Sequence, residues 1–470
     1  MHRLAIWFAA SALSCAGSLN SAWSQDFSAD ELAARSLQRR AVEAVIWGMP
    51  AVNYERMLQA AIENGAKINQ VVYWSKPVNW KNQTLTPNPD TIYLNPFYDT
   101  SHGPMVLELP PADDNNVIVG SFDVAWQNAL ADVGPAGLDK GKGGKYLILP
   151  PGYKEKVPEG YFALQSETLR GFVILRSNFK SRSDADIASA VAHGKRVRFH
   201  PLGGNPESTV FVDCYDKPFE STIPYDATFF GHLDRFVQFE PWLTRDKVMI
   251  DQLRTLGIEK GKPFKPDAKT KGILEPAVRE AHQVIALKYE AGFSPAFFDN
   301  TGWGVPVPPE TRDGLGNMFA DPNQYGVDGR AVMYHMAYFS PKVFGGGQFY
   351  LINISDRDGK PLAGDKTYRL KVPANAPIEQ YWSATAYDRE THALIRGMSR
   401  PSLASNDAAV IKNDDGSTEI YFGPSAPAGK QTNWVPTDPK RKFEVLFRLY
   451  GPKKELFEKK WSLPDLELVP

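Results

Sequence analysis

The sequence predicts a mainly β protein with α additions, in which two β-sandwich, jelly-roll-like domains are joined by a helical segment. Short runs of β-prone residues, separated by Pro, Gly and Asp, occupy one region from Val71 to Tyr215 and another from Phe349 onward. Regular helical patterns do not alternate with these runs, which argues against a parallel α/β sheet. The chain has 470 residues, more than one core usually holds, so several domains are expected.

The N-terminus has the features of a secretory signal peptide. A mostly apolar run from Leu4 to Gly17 is too short to span a bilayer. Ala22-Trp23-Ser24 then places small residues at the spacing of a signal peptidase site. Acylation of Cys15 is the less favoured alternative, because Ala12 stands where Leu is expected in a lipoprotein signal. We therefore expect a periplasmic or secreted protein, and no later segment predicts a membrane span.

Helical patterns precede the first β region and separate it from the second. Ser28 and Glu31 form a capping-box pattern, and Gly48-Met49-Pro50 is expected to break the helix that follows, with a second helix from about Val52 to Asn64. Pro276 suits a first helical turn. Further helices are predicted at Ser183–Gly194, Phe229–Phe239, Lys247–Leu256, Pro276–Ala291 and Arg330–Ala337.

These patterns divide the chain into five parts. They are a signal peptide (1–24), N-terminal helices (25–70), a first β-sandwich domain (71–220), a helical and loop connecting segment (221–345) and a second β-sandwich domain (346–470).

Composition and charge restrict the kinds of molecule that the protein is expected to bind. The hydrophobic fraction is 43% and the formal net charge is −1, so no global field draws the protein to nucleic acid. Aromatic residues make up 12% of the chain, which suits sheets and binding clefts for a small molecule. Signal cleavage leaves Cys214 as a single thiol, expected as a small buried hydrophobe, and no internal disulfide.

The segment Thr86–Tyr93 is the first candidate site. Prolines 87 and 89 stiffen the backbone, and the side chains of Asn88 and Asp90 cap turns in the simplest interpretation. In the functional interpretation this rigid loop presents Asn88, Asp90 and Tyr93 to a ligand. Asp90 could act as a base or as a metal ligand, but one carboxylate specifies neither, so metal and cofactor stay unknown.

A second candidate site is an aromatic and polar set near the C-terminus. Tyr387 lies five residues beyond Trp382, so the two face opposite sides of a strand. Asp388 and Arg448 would form a buried ion pair in a structural interpretation, whereas a ring-stacking site is the alternative. The predicted catalytic carboxylates are Asp90 and Asp388. The predicted ligand-binding residues are Asn88, Tyr93, Trp126, Trp382, Tyr387, Asn433, Trp434 and Arg448.

The same motifs resemble a known pair of domains. Residues 68–200 resemble the domain of unknown function 1254 through Asn82-Gln83-Thr84, Thr86–Tyr93, Gly103-Pro104 and Val106–Pro110. Residues 345–465 resemble its usual companion, the domain of unknown function 1214, through Gly359–Gly364, Trp382-Ser383, Tyr387-Asp388, Asn433-Trp434, Arg448-Leu449-Tyr450 and Trp461. The resemblance implies two jelly-roll-like domains with helical additions in an exported bacterial protein, and it supplies no substrate. Pro89 departs from the pattern, which has a polar residue before the Asp.

Three functions stay open at this point. The protein is an exported enzyme acting on a small organic or carbohydrate-like molecule, with hydrolysis as the favoured reaction, or a noncatalytic protein that binds such a ligand. A structural or envelope-interaction role is third. Exposed sandwich edges make a homo-oligomer plausible.

Overall fold

The computed structural model describes residues 27–469, so the expected signal peptide lies outside the described residues. Most helices in this range lie in the N-terminal and connecting segments, whereas α2 and α8 lie within the two β regions. They are α1 (Ala29–Glu63), α2 (Asp184–Gly194), α3 (Thr228–Phe239), α4 (Lys247–Thr255), α5 (Ala268–Ala291), α6 (Pro309–Gly316), α7 (Val327–Met336) and α8 (Lys454–Phe457). Three short 3₁₀ turns occur at Pro206–Ser208, Thr244–Asp246 and Gln431–Asn433. None of the described helices is both long and apolar enough to cross a bilayer.

Helix α1 corrects the sequence prediction, because Pro50 does not break it. The capping box of Ser28 and Glu31 is present, and the helix runs unbroken to Glu63. Almost every residue from 41 to 61 is buried, so packing on all sides offsets the hydrogen bond that proline removes. The prediction for Pro276 was also wrong. Helix α5 begins eight residues earlier, where the side chain of Asp267 accepts a hydrogen bond from the Thr270 amide.

The first β region contains two larger sheets and one small one. Its strands are β1 (Val71–Tyr73), β2 (Asn82–Gln83), β3 (Ile92–Asp99), β4 (Met105–Leu109), β5 (Val117–Val124), β6 (Ala129–Val133), β7 (Gly144–Leu149), β8 (Tyr161–Gln165), β9 (Arg170–Asn178), β10 (Arg198–Pro201), β11 (Phe211–Asp213) and β12 (Phe219–Glu220). A six-stranded sheet has the order β11-β1-β3-β9-β5-β6, and a four-stranded sheet has the order β10-β4-β7-β8. Strands β12 and β2 pair separately.

The second β region contains two four-stranded sheets. Its strands are β13 (Gln348–Asn353), β14 (Thr367–Val372), β15 (Trp382–Asp388), β16 (Ser402–Ala404), β17 (Thr418–Gly423), β18 (Trp434–Pro436), β19 (Phe443–Tyr450) and β20 (Glu467–Val469). The sheet orders are β13-β19-β15-β16 and β18-β17-β14-β20. The described chain thus has many strands in several sheets together with helices, as the sequence predicts in outline.

The six-stranded sheet uses its two faces differently. One face, which includes Leu94, Val173 and Leu175, shares a core with the four-stranded sheet beside it. The other face, which includes Phe172 and Ile174, belongs to a larger core that continues through the helices into both sheets of the second β region. This second face therefore meets the rest of the molecule, and the candidate site lies along it.

Candidate functional site

A cavity of about 290 Å³ lies between the two β regions. Its walls come from β3, β5, β9, β13 and β19, from the C-terminal end of α7, and from loops at 86–88, 305–307 and 341–347. Aromatic, methionine and aliphatic side chains form most of the lining, among them Met333, Met336, Tyr338, Phe339 and Phe344.

Strand β9 supplies the polar part of the first wall. Every second residue of this strand shares one face of the sheet, namely Phe172, Ile174, Arg176 and Asn178. The first two belong to the large core, whereas Arg176 and Asn178 line the cavity where that core ends. Arg176 is opposite Tyr93 of β3 and Val119 of β5, and both of these residues also line the cavity.

The opposite wall comes from β13 and β19. On β19, Leu446, Arg448 and Tyr450 line the cavity, while Phe447 and Leu449 on the other face are buried in the core. Arg448 is opposite Tyr350 of β13 in the antiparallel pair. The period of two thus brings three polar or aromatic side chains of the second β region to face those of the first.

Loop 86–88 joins the two walls. Arg448 donates through Nη2 to the carbonyl oxygen of Thr86 at 3.0 Å and to the hydroxyl of Tyr387 at 2.6 Å, and through Nη1 to Thr385 Oγ1 at 2.9 Å. The hydroxyl of Tyr387 donates to the carbonyl oxygen of Pro87 at 2.5 Å. These bonds hold the backbone of the loop in place.

Asn88 completes the connection between the walls. Its Nδ2 donates to the hydroxyl of Tyr450 at 2.5 Å, and its Oδ1 accepts a hydrogen bond from the amide of Asp90. Its own amide donates to the hydroxyl of Tyr93 at 2.9 Å. The structure therefore brings together four of the predicted ligand-binding residues in contacts that also fix the loop, namely Asn88, Tyr93, Tyr387 and Arg448.

Arg176 has fewer partners than Arg448, since Tyr93 is the side chain that hydrogen-bonds it and no carbonyl oxygen of the described residues does so. The residue is 4% exposed, and its Nε, like that of Arg448, makes no hydrogen bond. The guanidinium carbon lies 4.4 Å from the ring centre of Phe339 and 5.5 Å from that of Tyr93. Burial works to lower the pKa of this guanidinium, but Tyr350, Tyr93 and Tyr338 around it raise the pKa above its ordinary value, so the group is charged.

No carboxylate compensates this charge at close range. Among the described residues, no carboxylate oxygen lies within 4.0 Å of the guanidinium nitrogens of Arg176 or Arg448. Asp123 on β5 is the nearby buried acid, and both of its oxygens lack hydrogen-bond partners. Burial, and then the charge of Asp132, raise the pKa of Asp123 well above its usual range and favour the neutral acid, although the charge of Arg176 acts to lower this pKa.

The two predicted catalytic carboxylates lie outside the cavity lining. Asp90 is fully buried, forms an ion pair with Arg182 and accepts a hydrogen bond from Ser402 at 3.0 Å. Asp388 caps a turn by accepting from the amides of Glu390 and Thr391. The structure does not join these two acids to each other, and their catalytic role stays a prediction.

The predicted ion pair between Asp388 and Arg448 is absent. Asp388 instead binds Arg441 at 2.7 Å, because it follows Tyr387 on β15 and so faces the other side of the strand. Arg448 turns to the side of Tyr387 and loop 86–88.

The remaining predicted residues have positions away from the cavity. Trp126 packs against Trp47 and Phe236 in the helical part of the core. Trp382 stacks on Phe447, on the strand face opposite to Tyr387, as the five-residue spacing predicts. Two others bind main-chain atoms. Asn433 exchanges hydrogen bonds with the backbone of residue 411, and the indole of Trp434 donates to the carbonyl oxygen of residue 423.

The sequence prediction missed Arg176, Asn178 and Tyr350. One signal could have found Arg176, because it is the charged residue that follows the apolar run Phe172–Leu175 inside a central strand. A charge at such a position is rare unless it has a function or a partner. The cavity-lining residues of loop 341–347 carry no comparable signal.

No group of three His, Cys, Asp or Glu side chains within residues 27–469 is arranged to hold a metal ion. Cys214 is buried and free, and burial raises the pKa of its thiol to about 11, so it behaves as the small hydrophobe that was expected.

Two parts of the chain match known protein families. Residues 68–201 match the family model described as protein of unknown function (DUF1254), and residues 347–454 match that described as protein of unknown function (DUF1214). No curated protein matches the chain.

Two solved structures match the chain. The crystal structure of the VPA0106 protein from Vibrio parahaemolyticus is 17% identical, with a TM-score of 0.58 over 92% of this chain and 100% of that chain. An uncharacterised protein from Burkholderia cenocepacia is 11% identical, with a TM-score of 0.41 over 93% of this chain and 95% of that chain. The first likeness shows a shared fold and nothing about activity. Because both domain models match in the order found here, the chain belongs to the family that combines DUF1254 with DUF1214.

Proposed function

We propose that this is an exported protein that binds a small organic molecule in the cavity between its two β regions. One observation carries the proposal: a cavity of about 290 Å³ has a mostly apolar lining and a few convergent polar groups. Ligand sites typically combine these features and have volumes of roughly 300–1,000 Å³. The apolar lining favours an organic molecule with a hydrophobic body over a carbohydrate.

Binding is better supported than hydrolysis by the positions of the acids. A hydrolytic carboxylate pair needs two acids that both reach the substrate. Asp90 is bound to Arg182 and Asp388 to Arg441, and neither lines the cavity. The polar groups that do line it are suited to holding a molecule in place.

The proposal includes export of the protein from the cytoplasm. The apolar run and the Ala22-Trp23-Ser24 site support a periplasmic or secreted location. Cell fractionation followed by N-terminal sequencing tests this location, and a mature protein that begins at Met1 would contradict it.

We also propose that each β region is a jelly-roll-like sandwich, which the paired sheets of each region support.

The binding proposal is tested by filling the cavity. Val119 lines the cavity from β5, so Val119→Trp is expected to occupy it. Val248 on α4 is 73% exposed and does not line the cavity, so Val248→Trp is the matched control. Isothermal titration calorimetry measures the binding of 2-naphthoate and of its neutral analogue 2-naphthamide to each protein.

We expect the wild-type protein and Val248→Trp to bind at least one of the two compounds with a stoichiometry of one, and Val119→Trp to bind neither. Circular dichroism confirms that each variant is folded. Binding by Val119→Trp with unchanged affinity, or no binding of either compound by the wild type, would contradict the proposal.

A further inference from the structure

We propose that the ligand is a singly charged organic anion, a carboxylate on an apolar or aromatic body, and that Arg176 binds its carboxylate. This inference rests on the proposed function, since it names the chemical class of the molecule that occupies the cavity.

The buried guanidinium charge of Arg176 costs free energy unless a negative group pairs with it. Arg176 is 4% exposed and, in the described part of the chain, has no carboxylate within 4.0 Å of its guanidinium. Burying an isolated charge costs several kcal/mol, and buried charges are therefore paired as a rule. The neighbouring rings of Phe339 and Tyr93 offset part of this cost but supply no negative charge. An anionic ligand would complete the site.

The charged residues that line the cavity also favour an anionic ligand. Arginines 176, 312 and 448 line it, against two acids, Asp132 and Glu379. The carboxylate of Asp132 already accepts hydrogen bonds from Ser121 Oγ and from the backbone amides of residues 342 and 343. Glu379 is exposed at the rim. Three arginines against one interior acid therefore give the lining a net positive formal charge.

Arg176 is the buried lining arginine that does not hold loop 86–88, and Arg312 is only half-buried, so one buried guanidinium is left for one negative charge. Arg448 already donates to Thr86, Thr385 and Tyr387, so it stabilises the wall and has few donors left for a ligand. Arg176 is planar and can bind both oxygens of a carboxylate in parallel. Asn178 lies on the same face of β9, and its Oδ1 accepts from Thr91 Oγ1 at 2.8 Å, which leaves its Nδ2 as a second donor.

The rest of the lining fits a hydrophobic body. Met333, Met336, Phe344 and Val119 surround the space beyond the polar wall. A cavity of about 150 Å³ accommodates benzene. The volume of about 290 Å³ is therefore sufficient for a body of about two rings, or an alkyl chain of similar volume.

The experiment compares probes that share a naphthalene body and differ in charge. Calorimetry at pH 7.5 gives the affinities of 2-naphthoate, neutral 2-naphthamide and doubly charged 2-naphthyl phosphate. We expect the wild type to bind 2-naphthoate about tenfold or more tightly than each of the other two, since a hydrogen-bonded charge contributes about 1.5–3 kcal/mol. Arg176→Met should weaken 2-naphthoate about 10- to 100-fold and change 2-naphthamide less than about threefold.

Arg254→Met is the matched control, because this α4 side chain is 60% exposed and does not line the cavity, and it should change the affinity for 2-naphthoate less than about threefold. If Arg176→Met does not fold, Arg176→Lys, which retains the charge, takes its place. The lysine variant should lose affinity for 2-naphthoate yet still prefer it to 2-naphthamide.

The outcomes separate this inference from the proposed function. Binding of 2-naphthamide as tight as that of 2-naphthoate would overturn the anion inference and leave the binding function intact. Preference for 2-naphthyl phosphate would overturn the single charge and the carboxylate. No binding of any probe to the wild type would contradict the proposed function itself.

Discussion

Arg448 donates a hydrogen bond to the carbonyl oxygen of Thr86 over 3.0 Å, and so joins a strand near the C-terminus to a loop 362 residues earlier in the chain. The same side chain binds Thr385 and Tyr387. Tyr387 binds the next carbonyl of the loop, that of Pro87. The loop is therefore held by the second β region as well as stiffened by its own prolines.

Arg448→Met should destabilise the protein by about 2–5 kcal/mol, because it removes these hydrogen bonds and leaves the buried hydroxyl of Thr385 and the partly buried carbonyl oxygen of Thr86 without this donor. Urea denaturation followed by tryptophan fluorescence measures the loss. A change below about 0.5 kcal/mol would show that the loop is held by other contacts.

Arg176→Met should have the opposite effect in the absence of ligand. The guanidinium has no carboxylate partner, and methionine fills a similar volume without a charge to bury. We expect unchanged or higher stability, by up to about 1–2 kcal/mol, in the same denaturation experiment. A loss as large as that of Arg448→Met would indicate that Arg176 has a structural role.

Asp90→Asn distinguishes a structural from a catalytic carboxylate. Asp90 is fully buried, and its partners are Arg182 and Ser402. Removing its charge leaves Arg182 unpaired, so we expect a loss of about 2–4 kcal/mol in the free energy of unfolding. Asp388→Asn should cost less, because its partner Arg441 is 46% exposed. Unchanged stability with loss of a measured activity would instead support the catalytic prediction.

Two histidines predict a loss of stability in acid. Burial, and then the charges of Arg235 and Arg56, lower the pKa of His232 from 6.5 to about 3. Burial, and then His392 and Arg389, lower the pKa of His282 to about 4. The unfolded chain binds protons from about pH 6.5 downward, and the folded protein does so only at lower pH. Their contribution is present above pH 6.5 and is lost as the pH falls toward 4.

His282→Phe tests this pH dependence. The ring of His282 stacks on Tyr225 with centres 3.6 Å apart, and phenylalanine preserves that stack without binding a proton. The fall in unfolding free energy between pH 7 and pH 5 should therefore be smaller in the variant. Glu240 acts in the opposite sense, because burial raises its pKa to about 7, but it is common to both proteins and cancels in the comparison. An identical fall in both would contradict the assignment.

Local signals in the sequence predicted the elements well. The runs at 117–122, 172–175 and 443–450 are strands because β-branched and aromatic residues recur between Pro, Gly and Asp. Pro50 and Pro276 were misjudged for one reason: a local rule for proline takes no account of packing from neighbouring elements, which keeps α1 and α5 continuous.

The site was predictable only in part. Asn88, Tyr93 and Arg448 attracted notice as motif residues, and all three line the cavity. Which other residues face them depends on how the two β regions pack, and no local pattern encodes that arrangement. A single charge in a strand, such as Arg176, gives no information about its partner, and the sequence does not show that Asp388 faces Arg441 on the other side of the strand.

The cavity has one wall from each of the two family domains, and this gives a reason for their presence in one polypeptide. A gene encoding the DUF1254 part alone would specify a sheet whose Arg176 faces bulk water, and the DUF1214 part alone would specify an open strand surface around Tyr350 and Arg448. On the proposed binding function, loss of either half would open the cavity, so the two halves would be retained together.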